Sequence, residues 1–246
     1  MCTAIDLSKG GIELEHGFPH FEFSEKDSIE LAESINELFG KGTVEGPIGP
    51  TYNIRPTNPM PLVTNQSAGK MNYFRFGLIP SWSKDVKLGN KLFNARSETI
   101  AEKPSFRSAI RKRRCLIVAT AFYEWPKYAK GEVKRPYRIV MKDGKPFAIA
   151  GIWENWRSPE GEDIQSTAII TTQPNDLISS YHHRMPVIID PQDFSHWLSP
   201  DPIEPKSLEH LYEPYSAERM THYLVSNLIN NPRNKSAETI LPYSAE

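Results

Sequence analysis

Between Met71 and Thr172 the apolar residues come in short β-branched and aromatic runs, each closed by turn residues, and this rhythm restricts the fold more than any other feature. Runs at 71–78, 115–122, 137–141, 147–153 and 167–172 read as strands, with Asp143-Gly144 and Pro159-Glu160-Gly161 among the turns. Helical periodicity is clear in one long stretch, residues 27–39, where Ile29, Ala32, Ile35, Leu38 and Phe39 recur at helical spacing. Asp27 and Glu30 offer a capping-box-like start to that helix, and Gly40 a stop. Shorter helices are expected at 105–111, 191–198 and 205–212. Strands outnumber helices and do not alternate with them, so the expected class is α+β: a curved, barrel-like, mostly antiparallel sheet flanked by short helices. The 21 prolines, against 14 glycines, fit extended and loop-rich connections. No repeat or linker divides the 246 residues, which read as one domain, 1–246.

Net charge is −1, so no global field draws the chain to nucleic acid. Charge is nevertheless uneven: residues 103–135 hold ten Lys and Arg against two acids, Glu124 and Glu132. Arg111, Lys112, Arg113 and Arg114 are the centre of this cluster. It reads either as a solvated turn or as a groove that tracks phosphates through arginine forks. Phe122, Tyr123 and Trp125 nearby could stack on exposed bases or belong to the core. Cys2 and Cys115 are the two thiols, without spacing for zinc, so neither a disulfide scaffold nor a metal or other cofactor is expected. No apolar run approaches the roughly 20 residues that span a bilayer, and the expected compartment is the cytoplasm. No exposed apolar repeat calls for a partner copy, so a monomer is expected.

Cys2 opens a specific chemistry. Removal of Met1, which a small second residue permits, leaves a free α-amine and a β-thiol on one residue. The amine's ordinary pKa is near 8, so part of it is neutral at physiological pH. The thiolate is the stronger nucleophile. Such a 1,2-aminothiol reacts with aldehydes: the amine forms a Schiff base and the thiol closes a thiazolidine ring on it.

Five further segments follow Cys2. They are Tyr52-Asn53-Ile54-Arg55-Pro56, Phe76-Gly77-Leu78-Ile79-Pro80 with Trp82 beyond it, Asn94-Ala95-Arg96-Ser97-Glu98, Phe122-Tyr123-Glu124-Trp125, and His182-His183-Arg184-Met185-Pro186. In this order they resemble the SRAP (SOS response-associated peptidase) family, over about residues 2–190. The resemblance implies recognition of abasic sites in single-stranded DNA, or at single-strand to duplex junctions, and a thiazolidine crosslink that shields the lesion. Cys2 then corresponds to the crosslinking cysteine, Asn94 to the active-site asparagine, Glu124 to the catalytic glutamate and His182 to the active-site histidine. Arg96 corresponds to a DNA-contacting arginine, and Arg184, Arg55, Trp82 and Trp125 are further candidates for the DNA surface. The chain departs from the family pattern at Thr3-Ala4, where Gly-Arg is usual, at Phe76 for tryptophan and at Ala121 for glycine.

The chemistry asks for such groups independently. An abasic sugar is mostly a closed hemiacetal, and opening it needs proton transfer at the ring oxygen, a task for Glu124 and His182. Asn94 would orient the sugar or amine by hydrogen bonds. Two other readings compete: a peptidase with Cys2 as N-terminal nucleophile, and a non-covalent single-strand binding module in which Cys2 is incidental.

Overall fold

The computed structural model describes residues 4–8, 24–126 and 133–243. Thirteen strands are found among these residues. In chain order they are β1 (Ile5–Leu7), β2 (Thr51–Ile54), β3 (Pro59–Thr64), β4 (Met71–Phe76), β5 (Asn94–Arg96), β6 (Arg114–Ala119), β7 (Ala121–Glu124) and β8 (Tyr137–Met141). The remainder are β9 (Phe147–Arg157), β10 (Asp163–Thr172), β11 (Met185–Pro186), β12 (Ile188–Ile189) and β13 (Met220–Leu224). Four α-helices accompany them, α1 (Glu25–Phe39), α2 (Arg107–Lys112), α3 (Asp176–Ser179) and α4 (Phe194–Trp197), with several 3-10 turns. The class is α+β, as the strand rhythm implies.

One set of strands closes on itself. β10 pairs with β4, β4 with β3, β3 with β6, β6 with β9, and β9 again with β10. Only the β10–β4 contact in this ring is parallel. A second, antiparallel sheet runs β13-β8-β7-β1-β2. Between the two lies the main core, to which the second sheet gives Ile5, Ile54, Phe122 and Ile139, and the barrel gives Leu62, Ile117, Ile149 and Ile169. Another cluster, including Ile110, Trp197, Leu208 and Leu211, covers the barrel's flank with α2, α4 and the 3-10 segment Pro205–Tyr212. Among the described residues no helix is long and apolar enough to cross a membrane.

Two local expectations are corrected. The long helix begins two residues early, because Ser24 is the N-cap and Asp27 the third helical residue that completes the capping box. The run at 115–122 is not one strand but two, since Thr120 breaks it. Its amide donates to Asp6 O at 3.0 Å and its hydroxyl to Asp6 Oδ1 at 2.7 Å. The chain thereby leaves the barrel as β6 and enters the second sheet as β7. That crossing places Glu124 at the end of a strand facing the barrel.

Three of the four members of the basic cluster have partners within the protein, though only Arg114 is fully buried. Arg114 is fully buried, donating to the carbonyls of Ile110, Arg111, Trp197, Ser199 and Asp201 near the ends of α2 and α4. Arg111 pairs with Glu204 at 2.6 Å and Arg113 with Glu154 at 2.8 Å. Phe122 and Tyr123 are core residues, both with no exposed surface.

Candidate functional site

Glu124 ends β7 and is 1% exposed. Its neighbour across the sheet is the N-terminal strand: Ile5 pairs with Phe122, and Tyr123 N donates to Ala4 O at 3.1 Å. Ala4 therefore sits beside Tyr123, one residue before Glu124, while Cys2 lies outside the described residues. This register is fixed from behind. Asp6 and Arg138, both without exposed surface, are joined by two bonds, Nε to Oδ2 at 2.9 Å and Nη2 to Oδ1 at 3.0 Å. Tyr123, Ser8 and Thr120 also donate to the Asp6 carboxylate. A buried pair holds its geometry only when its remaining lone pairs and protons are satisfied, and here the Asp6 oxygens are.

His182 reaches Glu124 from the other direction. Asn175 caps α3, and the chain leaves that short helix with His182 N donating to Ile178 O at 2.9 Å. His182 Nδ1 then stands 3.6 Å from Glu124 Oε2. The same nitrogen lies 3.1 Å from Arg184 N and 2.8 Å from Arg184 O, so the Arg184 backbone holds the ring in either tautomer. His183 is exposed, and its ring lies tilted against that of His182 with centroids 4.6 Å apart.

The pair has the spacing of an ion pair but not the electrostatics of one. Burial pushes the Glu124 carboxyl up to about 8 and pushes His182 below its ordinary value. Near neutral pH the resulting partners are a carboxylic acid and a neutral imidazole, one able to give a proton and the other able to take one.

Strand β10 organises the rest. Thr171 pairs with Arg96 on one edge and with Pro186 on the other, so the segments containing Asn94 and His182 flank the same strand end. Glu98 ties them together: Arg184 donates to both of its carboxylate oxygens, at 2.5 and 2.9 Å, and also to Thr171 O. Arg184, a candidate for the DNA surface, is 5% exposed and held in this clasp. Glu98 was visible in the Asn-Ala-Arg-Ser-Glu segment, yet nothing in the sequence said that its partner would be Arg184.

The other candidates divide by exposure. Arg96 is exposed, Asn94 half-buried, and Trp82 is 58% exposed on the loop after Pro80. Trp125 is half-buried; its indole donates to Asn230 Oδ1 at 2.8 Å, and the Arg55 guanidinium lies 4.8 Å over its ring. Arg55 also donates to Ile229 O at 2.7 Å and to Asn53 Oδ1 at 2.6 Å. Arg55 and Trp125 thus anchor the segment around 227–234 across the sheet.

Comparison with known proteins places the chain in a family. The family model described as SOS response associated peptidase (SRAP) matches residues 22–232. The chain is 42% identical over 219 residues to the abasic site processing protein YoqW of Bacillus subtilis (strain 168), covering 89% of this chain and 96% of that one. It is 30% identical over 231 residues to the abasic site processing protein HMCES of Rattus norvegicus, covering 78% of this chain and 65% of that one. A crystal structure of a protein from Bacteroides thetaiotaomicron superposes with a TM-score of 0.68 at 30% identity, covering 78% of this chain and 84% of the other. The chain belongs to the SRAP family.

Proposed function

We propose that this chain processes abasic sites in DNA, and that it does so by condensing the Cys2 aminothiol with the exposed aldehyde. The observation that carries the reading is the buried acid–imidazole pair of Glu124 and His182 at the end of β7, the strand that pairs with β1. In the chain Cys2 is two residues ahead of Ala4, whose carbonyl accepts from the amide of Tyr123, the residue before Glu124. Relatives over nearly their whole length are named abasic site processing proteins, which supports the same substrate.

The proton balance is simple. Glu124 gives its proton to the sugar ring oxygen as the C1′–O4′ bond breaks, and His182 takes the proton of the C1′ hydroxyl, leaving an aldehyde. The neutral Cys2 amine adds to that carbon and the adduct loses water, forming a Schiff base. The thiol then adds to the imine carbon and closes the thiazolidine. Nothing is oxidised or reduced, and one water leaves overall. Asn94 orients the sugar or amine, and Arg96 and Trp82, both exposed, meet the phosphates and bases of a single strand.

The test is a denaturing gel and intact mass of the protein with a single-stranded oligonucleotide bearing one abasic site. A heat-stable band that needs both the lesion and Cys2, with the summed mass minus one water and without Met1, is expected. A protein lacking Met1 that forms no such band would overturn the reading; Cys2-dependent cleavage of a peptide without DNA would then favour a peptidase.

A further inference from the structure

Two buried polar atoms beside the Glu124–His182 pair, the Tyr181 hydroxyl and His222 Nδ1, have no hydrogen-bond partner among the described residues. Tyr181 is only 9% exposed. The two groups belong to one aromatic cluster. The Tyr181 ring is 4.9 Å from Tyr137 and 5.6 Å from His222, and Tyr137 meets His222 edge-on at 4.7 Å. Tyr137 is the cross-strand partner of Glu124, so both side chains rise from the same face of the sheet. Tyr181 directly precedes His182 in the chain. The cluster therefore adjoins the acid–base pair on two sides.

Buried polar groups are nearly always paired, so two orphans in one cluster define the chemistry of what they receive. Burial first, then Tyr137 and Glu124, push the Tyr181 phenol above its ordinary value, and it remains a neutral donor. Burial also lowers His222, favouring the neutral imidazole, whose Nδ1 accepts when the ring proton is on Nε2. A donor and an acceptor together match a hydroxyl group, which accepts one bond and gives another.

Resting on the function proposed above, we infer that Tyr181 and His222 hold the C4′ hydroxyl released when the abasic sugar opens, Tyr181 donating to it and His222 Nδ1 accepting from it. Held in this way, the hydroxyl is kept from re-adding to C1′, and the aldehyde stays available to Cys2. Neither residue forms a covalent bond.

Tyr181→Phe removes the hydroxyl and keeps the ring contacts. Its crosslinking rate would be measured on two oligonucleotides, one with a natural abasic site and one with an acyclic linker carrying the aldehyde but no hydroxyl at the C4′ position. The variant is expected to be about five- to tenfold slower on the natural site, the loss of one neutral hydrogen bond, and unchanged on the linker. His222→Phe is expected to give the same pattern. Equal slowing on both substrates, or none on either, would overturn the inference. Wild-type protein that crosslinks neither oligonucleotide would instead defeat the covalent reading on which the inference stands.

Discussion

Glu124 Oε2 stands 3.6 Å from His182 Nδ1 in a setting where burial opposes charge on both partners. Burial leaves both groups neutral near pH 7. The carboxyl keeps its proton to give, and the imidazole keeps a lone pair to accept with.

Glu124→Gln preserves size and polarity but removes the proton donor. General acid catalysis by a positioned side chain is worth about 10²–10⁴-fold, so crosslinking by this variant is expected to slow by about 10²-fold or more in single-turnover gels. The gap should narrow above pH 8, where wild-type Glu124 loses its own proton. A variant within threefold of wild type at pH 7 would take Glu124 out of the chemistry.

The same shift ties stability to pH. A carboxyl raised from 4.5 in the unfolded chain to about 8 when folded binds its proton more tightly in the native state. Stability therefore falls as pH rises from 4.5 to about 8, by on the order of a few kcal/mol. His182, lowered from 6.5, works in the opposite sense, gaining stability as pH rises toward 6.5. Comparison with Glu124→Gln isolates the first effect. In urea titrations at pH 5 and pH 8, wild type should lose stability relative to the variant, and parallel losses would mean that the carboxyl ionises normally.

The Asp6–Arg138 pair makes a sharper stability prediction. Arg138→Met strands a carboxylate that has no exposed surface, at a cost of about 3–5 kcal/mol. Replacing both partners, Asp6→Leu with Arg138→Met, should be less damaging than the single change, because no charge is left buried. The measurement is chemical denaturation of the three proteins. A double variant weaker than Arg138→Met would show that the hydrogen bonds from Tyr123, Ser8 and Thr120 matter more than the charge pair.

What could be read from the sequence follows a physical line. Strand β8 was legible to the residue because its apolar run is bounded by polar turns on both sides. The short strands β1, β5, β11 and β12 were not, since two or three residues show no period, and they form only where longer strands offer an edge. The site's ordered segments were legible as chemistry, but their clustering was not. His182 and Glu124 are 58 positions apart and meet through a β10 edge and a strand crossing at Thr120 that no local pattern announces. The basic cluster was ambiguous for a different reason. Four consecutive Lys and Arg carry the same sequence signal whether they face phosphates or, like Arg114, cap two helix ends from inside.

DNA affinity separates the exposed groups from the buried ones. Arg96 is exposed and, as a phosphate contact, should release about one counterion. Arg96→Ala is then expected to weaken binding of an undamaged single strand and to reduce the log–log salt slope by about 0.7. Trp82, 58% exposed, stacks on a base in this reading, and Trp82→Ala should cost about 1–3 kcal/mol of affinity with little change in slope. Arg184→Lys breaks the two-pronged contact with Glu98 but removes no exposed charge. It should lower the melting temperature and the crosslinking rate while leaving the salt slope intact. Fluorescence anisotropy at several salt concentrations checks all three. A slope that falls for Arg184→Lys and not for Arg96→Ala would reverse the assignment, placing the phosphate at the clasp between Glu98 and Thr171 and leaving Arg96 as a bystander on the barrel rim.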